Sequence, residues 1–150
     1  MNRKGIVVFT KVLLDVMFYS GILVTASLPF TLKLAGKYYS QDFAEHYIPM
    51  LAVFLVSGVC GLVIVYQLRK MIRTVIARDC FVEGNTKSLK LMGKTAFVIA
   101  AVYIVKVFTV PTPATFVIIL TFFIAGLFSY VLSMVFAEAV RYKEENDLTI

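Results

Sequence analysis

Apolar residues fill four long stretches of this chain, and polar residues are concentrated between them. The stretches cover about residues 6–28, 47–68, 91–109 and 114–137. A helix needs about 20 predominantly apolar residues to cross a bilayer, and each stretch reaches that length or comes close to it. The pattern predicts an all-α, polytopic membrane protein with four transmembrane helices.

The connections between these stretches differ in character. Pro111 and Pro113 separate the third and fourth stretches, and because proline does not fit a helix interior, we expect spans 3 and 4 to form a tight hairpin. Residues 69–90 form the central loop. Apolar residues at helical spacing in 71–76 indicate that the second helix continues past the membrane as a basic amphipathic helix. The segment 83–85, Glu-Gly-Asn, is then expected to make the turn.

Composition supports this assignment. Hydrophobic residues make up 60% of the 150 residues, against about 45–50% in a typical soluble domain. The length is that of one domain. The chain is therefore expected to form a single membrane domain over residues 1–150, with lipid as its main surrounding.

The distribution of Lys and Arg predicts the orientation. With four spans, 11 of these residues fall on one side of the bilayer and three, Lys33, Lys37 and Lys106, on the other. Cytoplasmic loops carry the excess of Lys and Arg. We therefore expect a plasma-membrane protein with both termini, the central loop and the tail 138–150 in the cytoplasm.

The net charge of +6 is also explained by the excess of Lys and Arg that cytoplasmic segments carry. A surface that binds nucleic acid combines basic residues with stacking aromatic rings, and this chain has no such stretch, so direct nucleic-acid binding is not predicted. His46 is the single histidine and has no second ligand at metal-binding spacing. Because a Ser-His-Asp set, a paired carboxylate site and a P-loop are also missing, we expect no enzyme, cofactor or metal site.

Two charged residues interrupt the first span. Lys11 and Asp15 lie four residues apart, hence on one helix face, and a charge at this depth usually pairs or faces a cavity. The pattern predicts an intramembrane Lys11–Asp15 ion pair. The alternative is a proton-binding Asp15 in a small transporter. Small multidrug exporters also have four spans and a membrane carboxylate in the first, but this chain differs from them in its strong Lys/Arg bias and lack of Trp.

Small residues indicate where helices approach closely, because lipid provides no hydrophobic force between helices. Ser57 and Gly61 lie on one face of the second span. Ala125, Ser129 and Ser133 follow one another at every fourth position of the fourth span. These residues are expected to pack helices within the bundle, or alternatively to form a homodimer face.

The chain ends in ten mostly polar residues, 141–150. The fourth helix is predicted to continue to about Glu145 and to end at Asn146 and Asp147, which are poor helix-interior residues. A short strand-like tip, 148–150, then remains. It can pack back on the basic loop or be offered to a partner.

Two segments resemble a known family. The spacing Phe81, Asn85, Leu89, Gly93 and the terminal KEENDLTI, together with the basic start and four spans, are similar to an uncharacterised bacterial membrane family. That family is a domain of unknown function, typical of Gram-positive bacteria. Its genes often lie beside one for a small helix-turn-helix regulator of the phage-repressor type. The family often has Pro before the Phe, where this chain has Cys80.

The resemblance implies a non-enzymatic regulatory or sensory anchor. Its cytoplasmic loop and tail would bind the small cytosolic helix-turn-helix regulator, and a transporter built on Asp15 remains the alternative, with a structural or immunity-type membrane protein as a third possibility. The expected partner-binding residues are Phe81, Asn85, Leu89, Asp147, Leu148 and Ile150.

Overall fold

The computed structural model describes residues 2–39 and 41–149, and the side chains of all of these except Asp42 and Phe43. The described residues form helices and turns and contain no strand. The helices are α1 (Arg3–Tyr38), α2 (Gln41–Glu45), α3 (Tyr47–Ile76), α4 (Glu83–Val107) and α5 (Pro113–Leu148). The prediction of an all-α protein is confirmed.

Four of these helices, α1, α3, α4 and α5, are long and apolar enough to cross a membrane, so the chain is a multi-pass membrane protein. The longest, α1 and α5, have 36 residues each. At 1.5 Å per residue each measures about 54 Å, against about 30 Å for the hydrocarbon core of a bilayer. The ends of these two helices therefore extend beyond the hydrocarbon, and where the bilayer meets each helix stays a prediction.

Helix α1 continues through Pro29 to Tyr38, well past the predicted end of the first span. Proline lacks the N–H that a helix interior needs, and membrane helices tolerate it where neighbouring groups satisfy the freed backbone atoms. The carbonyl that Pro29 leaves without a helical donor is that of Thr25, one turn earlier. The Tyr47 hydroxyl, at the start of α3, donates a hydrogen bond to the carbonyl of Pro29 itself at 3.0 Å. This contact joins α1 and α3 at the end of the molecule opposite the termini.

The four long helices follow one another in a row. Helix α1 packs against α3, α3 against α4, and α4 most extensively against α5, while within the described residues α1 contacts neither α4 nor α5. Helix α4 is the most buried. In its apolar 18-residue segment 44% of the residues are buried, against 6–11% in the corresponding segments of the other three helices. The arrangement is an open bundle whose outer helices offer long apolar faces to lipid.

Spans 3 and 4 form the predicted tight hairpin. Pro113 opens α5, a position that suits proline because the first helical N–H has no partner within the helix. Further along, a Cβ on Gly126 would lie 2.9 Å from the Phe97 ring, and one on Gly93 would lie 3.1 Å from the Gly126 carbonyl oxygen. The two helices are in close contact because these positions lack side chains.

The small residues predicted on α5 divide between this seam and the lipid face. Ser129 Oγ donates to the Leu89 carbonyl of α4 at 2.8 Å, and Ser133 is 2% exposed. Ala125 is exposed and lies outside the seam. Gly126 takes its place because positions i, i+3 and i+7 follow the helix face more closely than every fourth residue.

The predicted packing residues of α3 lie beside the actual contact. Ser57 Oγ donates to the carbonyl of Val53 in its own helix, and no neighbouring atom lies within 4 Å of a Cβ built on Gly61. Gly58 makes the close approach, since a Cβ there would lie 2.8 Å from Thr25 Oγ1 of α1. The predicted role of Gly61 is therefore corrected in favour of Gly58.

Candidate functional site

Both ends of the chain lie at one end of the bundle, because four antiparallel helices return the chain to the side on which it began. The α3–α4 turn lies at the same end. We call the surface formed by this turn (residues 77–82) and the end of α5 (residues 138–149) the terminal face. Of the residues predicted to bind a partner, it contains Phe81, Asp147 and Leu148.

Helix α3 ends with a residue in the left-handed region. Arg78 has φ 59°; its N–H donates to the Val75 carbonyl, and the N–H of Asp79 donates to the Thr74 carbonyl. This is the Schellman arrangement, in which glycine is usual, and a residue with a Cβ costs roughly 1–2 kcal/mol there. The chain therefore reverses directly after α3. The turn predicted at 83–85 is wrong, since these residues open α4.

The buried side chain of Asn85 stabilises this turn through two hydrogen bonds. Its side chain is 1% exposed, and Nδ2 donates to Thr74 Oγ1 at 2.6 Å and to the Cys80 carbonyl at 2.8 Å. Leu89, one helical turn further along, is 5% exposed. Neither side chain is available to a partner, so their predicted partner-binding role is corrected to a structural one. The four-residue spacing places both on the face of α4 that packs inward.

The α5 tail is fixed to the turn by two contacts. Lys143 Nζ and the Asp79 carboxylate form an ion pair, and the rings of Phe81 and Phe136 pack with centroids 5.4 Å apart. The hydrogen bond to Asp79 raises the pKa of Lys143 above its ordinary value. Both charged side chains are about half exposed, so the pair adds little to stability but sets the position of the tail.

The tail remains helical further than predicted. Helix α5 runs to Leu148, so the predicted end at Asn146 and the strand-like character of Leu148 are wrong. Leu148 is 87% exposed, Asp147 is exposed, and Phe81 is 44% exposed. Ile150 lies outside the described residues. Among the large apolar side chains of this face, Leu148 is thus the most exposed, and it lies at the end of an acidic helical turn.

Asp15 forms its ion pair across two helices. Its Oδ1 accepts a hydrogen bond from Arg69 Nε of α3 at 2.6 Å, and the guanidinium lies 4.6 Å and 5.3 Å from the ring centroids of Phe18 and Tyr19. Lys11 is exposed; the predicted Lys11–Asp15 pair is therefore not the one formed. Arg69 is the better partner because its planar guanidinium binds the carboxylate and stacks on aromatic rings together.

This pair links α1 to α3 and neutralises a carboxylate within the bundle. A transport role for Asp15 would require a proton or cation to displace Arg69 from it. The predicted spans place Asp15 about nine residues inside the first span, whereas Arg69 directly follows the second. The sequence therefore held no signal for this pairing.

A buried cation lies at the opposite end of the bundle from the Asp15–Arg69 pair. Lys106 of α4 is 7% exposed, and its Nζ donates to Thr115 Oγ1 of α5 at 3.0 Å. Thr112 and Thr115 share a further hydrogen bond of 2.7 Å. These hydrogen bonds stabilise the hairpin at the connection between α4 and α5.

The described residues contain no group of three His, Cys, Asp or Glu side chains arranged to hold a metal ion.

Comparison with known proteins adds a family but no function. No curated protein and no solved structure matches the chain. A family model described as "Protein of unknown function (DUF2975)" matches residues 35–150, from the last turn of α1 through α5. Because this match covers most of the chain, the protein belongs to that family of unknown function.

Proposed function

We propose that this protein is a non-enzymatic regulatory anchor of the cell membrane, with both termini in the cytoplasm, and that its terminal face binds a small cytosolic helix-turn-helix regulator. The excess of Lys and Arg in the segments at the terminal end supports the orientation, because such residues collect on the cytoplasmic side.

The observation that carries the proposal is the exposed end of α5. Leu148 is 87% exposed and follows an acidic segment that includes Glu144, Glu145 and Asp147. Since α5 is longer than the hydrocarbon core is thick, this end projects into water. An exposed leucine in water contributes nothing to the fold and is suited to insertion in a pocket of another protein.

Charge favours a DNA-binding partner. Proteins that bind DNA present Lys and Arg to the phosphates, and an acidic helix end is complementary to such a surface. A regulator bound in this way would have part of its DNA-binding surface covered, and it would be held at the membrane. Release would then return it to DNA.

The turn gives the tail a defined place. The Lys143–Asp79 ion pair and the Phe81–Phe136 contact hold the end of α5 beside residues 77–82. A signal that moves the tail relative to the turn would change the binding surface, and a ligand can do this only through different affinities for the two arrangements.

The test is capture of the partner by the full-length protein, purified in detergent. We expect a small helix-turn-helix protein, identified by mass spectrometry, and loss of its recovery when residues 146–150 are deleted. Leu148→Gln should weaken recovery, whereas Tyr39→Gln should not, because Tyr39 is equally exposed, at 87%, but lies at the opposite end. Undiminished recovery by the deletion variant, or recovery of no such regulator, contradicts the proposal.

A further inference from the structure

A groove of about 650 Å³ lies between the start of α1 and the end of α3, and none of the described residues that line it belongs to α5. Three cationic side chains line it: Arg3, Lys4 and Arg78. Among the described residues none of the three forms a salt bridge. The groove therefore concentrates positive charge that the other described residues do not neutralise.

The turn separates charges of opposite sign. Arg78 lines the groove, whereas Asp79, the next residue, is paired with Lys143 of α5. No Asp or Glu is among the described residues that line the groove. An anion that enters it would meet three cations and no carboxylate.

The backbone at Arg78 is a second, independent observation. An arginine occupies a left-handed position, φ 59°, where glycine would be free of strain. Strain of this kind is a reason to look for a use of the side chain. Arg78 lies directly after the end of α3. From this position its side chain lines the same groove as Arg3 and Lys4 of α1.

The walls of the groove are apolar. They are formed by Val7 and Val8 of α1 and by Val75 and Ile76 of α3. Val8 and Ile76 are 58% and 46% exposed, so the walls continue into the apolar surface that these helices offer to lipid. A soluble phosphate would use the cations alone, whereas a phospholipid would use the cations and the walls together.

We propose that this groove is a binding site for the headgroup of an anionic phospholipid. The phosphate is bound by Arg3, Lys4 and Arg78 through charge-assisted hydrogen bonds, and the upper part of the acyl chains lies along the valine and isoleucine walls. The site depends on the membrane placement of α1 and α3. It shares Arg78 and Cys80 with the terminal face, but it does not require the proposed regulator.

The absence of tryptophan from the chain allows a direct test. Val8→Trp places a single fluorophore in the groove of the full-length protein. Val135→Trp on α5 is the matched control, because the substitution is the same and Val135 is 54% exposed against 58% for Val8. Each variant is reconstituted in mixed vesicles of phosphatidylglycerol and phosphatidylcholine, in which either lipid carries bromine atoms that quench tryptophan fluorescence.

We expect brominated phosphatidylglycerol to quench the Val8→Trp variant at a lower mole fraction than brominated phosphatidylcholine, with little preference in the control. Each close Lys or Arg contributes about fivefold to affinity for anionic lipid. Arg78→Gly in the Val8→Trp protein should therefore reduce the preference about fivefold. This change relieves the strained φ, so loss of binding cannot be attributed to unfolding.

Arg73→Gln is the charge control. Arg73 is exposed on α3, close to the same membrane surface, but does not line the groove, and its removal should leave the preference unchanged. An equal effect of Arg73→Gln and Arg78→Gly would show general attraction to a charged surface and overturn the proposal. Equal quenching by both lipids would overturn it as well. Excess inorganic phosphate should not displace the lipid; displacement would show a site for a soluble anion instead.

Discussion

Replacement of the buried amide at position 85 tests how the terminal face is built. Asn85→Ala removes both hydrogen bonds of the side chain, to the Thr74 hydroxyl and to the Cys80 carbonyl. The side chain is 1% exposed, so water does not readily replace the lost partners. The substitution therefore separates a structural role of Asn85 from a role in surface recognition.

The magnitude follows from these contacts. Each hydrogen bond contributes about 1 kcal/mol net, and a buried acceptor left without a donor costs a further 1–3 kcal/mol or so. Alanine is the better helix former by about 0.5 kcal/mol, which offsets part of the loss. We expect Asn85→Ala to lower the free energy of unfolding by about 2.5–4.5 kcal/mol.

The assay is equilibrium unfolding of the purified protein in detergent mixed with increasing SDS, followed by the loss of helical circular dichroism. Asn146→Ala is the control, since Asn146 is exposed near the end of α5, and it should change stability by less than about 0.5 kcal/mol. Equal stability of the two variants would refute the structural role assigned to Asn85.

Three further predictions concern the seams and the tail. Gly126→Ala should destabilise by about 1–3 kcal/mol through overpacking, whereas Gly61→Ala, which meets open space, should be neutral or stabilising in the same unfolding assay; equal effects would contradict the seam. Arg69→Gln should destabilise, and adding Asp15→Asn should restore part of the loss; purely additive effects in this double-mutant cycle would show that the pair contributes no coupling. The raised pKa of Lys143 means that its charge, and with it the tail contact, is fully present at neutral pH and is lost as pH rises through that pKa. As pH rises from neutral, spin-label distances between tail and turn should lengthen at strongly alkaline pH, and Lys143→Arg should move the change higher still; a change near neutral pH would contradict the assignment.

The fold could be predicted from the sequence because its main determinants are local. Twenty consecutive apolar residues in lipid form a helix, since every backbone group must find its partner within the segment. Two prolines separated by one residue end one helix and start the next. These rules do not depend on which helices are neighbours, so the four helices and the α4–α5 hairpin were correctly predicted.

The contacts between helices could not be predicted in the same way. Asp15 has a basic residue one helical turn away, and its partner Arg69 lies 54 positions along the chain; only the pairing of α1 with α3 decides between them. The same holds for Gly58 and Gly126, whose close contacts depend on the rotation of each helix about its axis.

The turn after α3 shows a different limit. Glycine at position 84 predicted the reversal there, yet Arg78 adopts the left-handed conformation and Gly84 lies in the first turn of α4. Residue propensity is a weak guide where a buried side chain, here Asn85, fixes the turn from the adjoining helix. Three residues of the motif that carries the family resemblance, Asn85, Leu89 and Gly93, lie on the inward face of α4. The exposed candidates for binding are Phe81, Asp147 and Leu148.

The most direct test of the account is the side of the membrane on which each end of the bundle lies. Tyr39→Cys and Leu148→Cys provide a matched pair, because both residues are 87% exposed and lie at opposite ends of the bundle. With Cys60 and Cys80 replaced by alanine, a membrane-impermeant maleimide is applied to intact cells. Labelling of the Tyr39→Cys protein alone, with Leu148→Cys labelled only after the membrane is permeabilised, is the predicted result. Labelling of Leu148→Cys in intact cells would place the terminal face outside the cell and contradict the account.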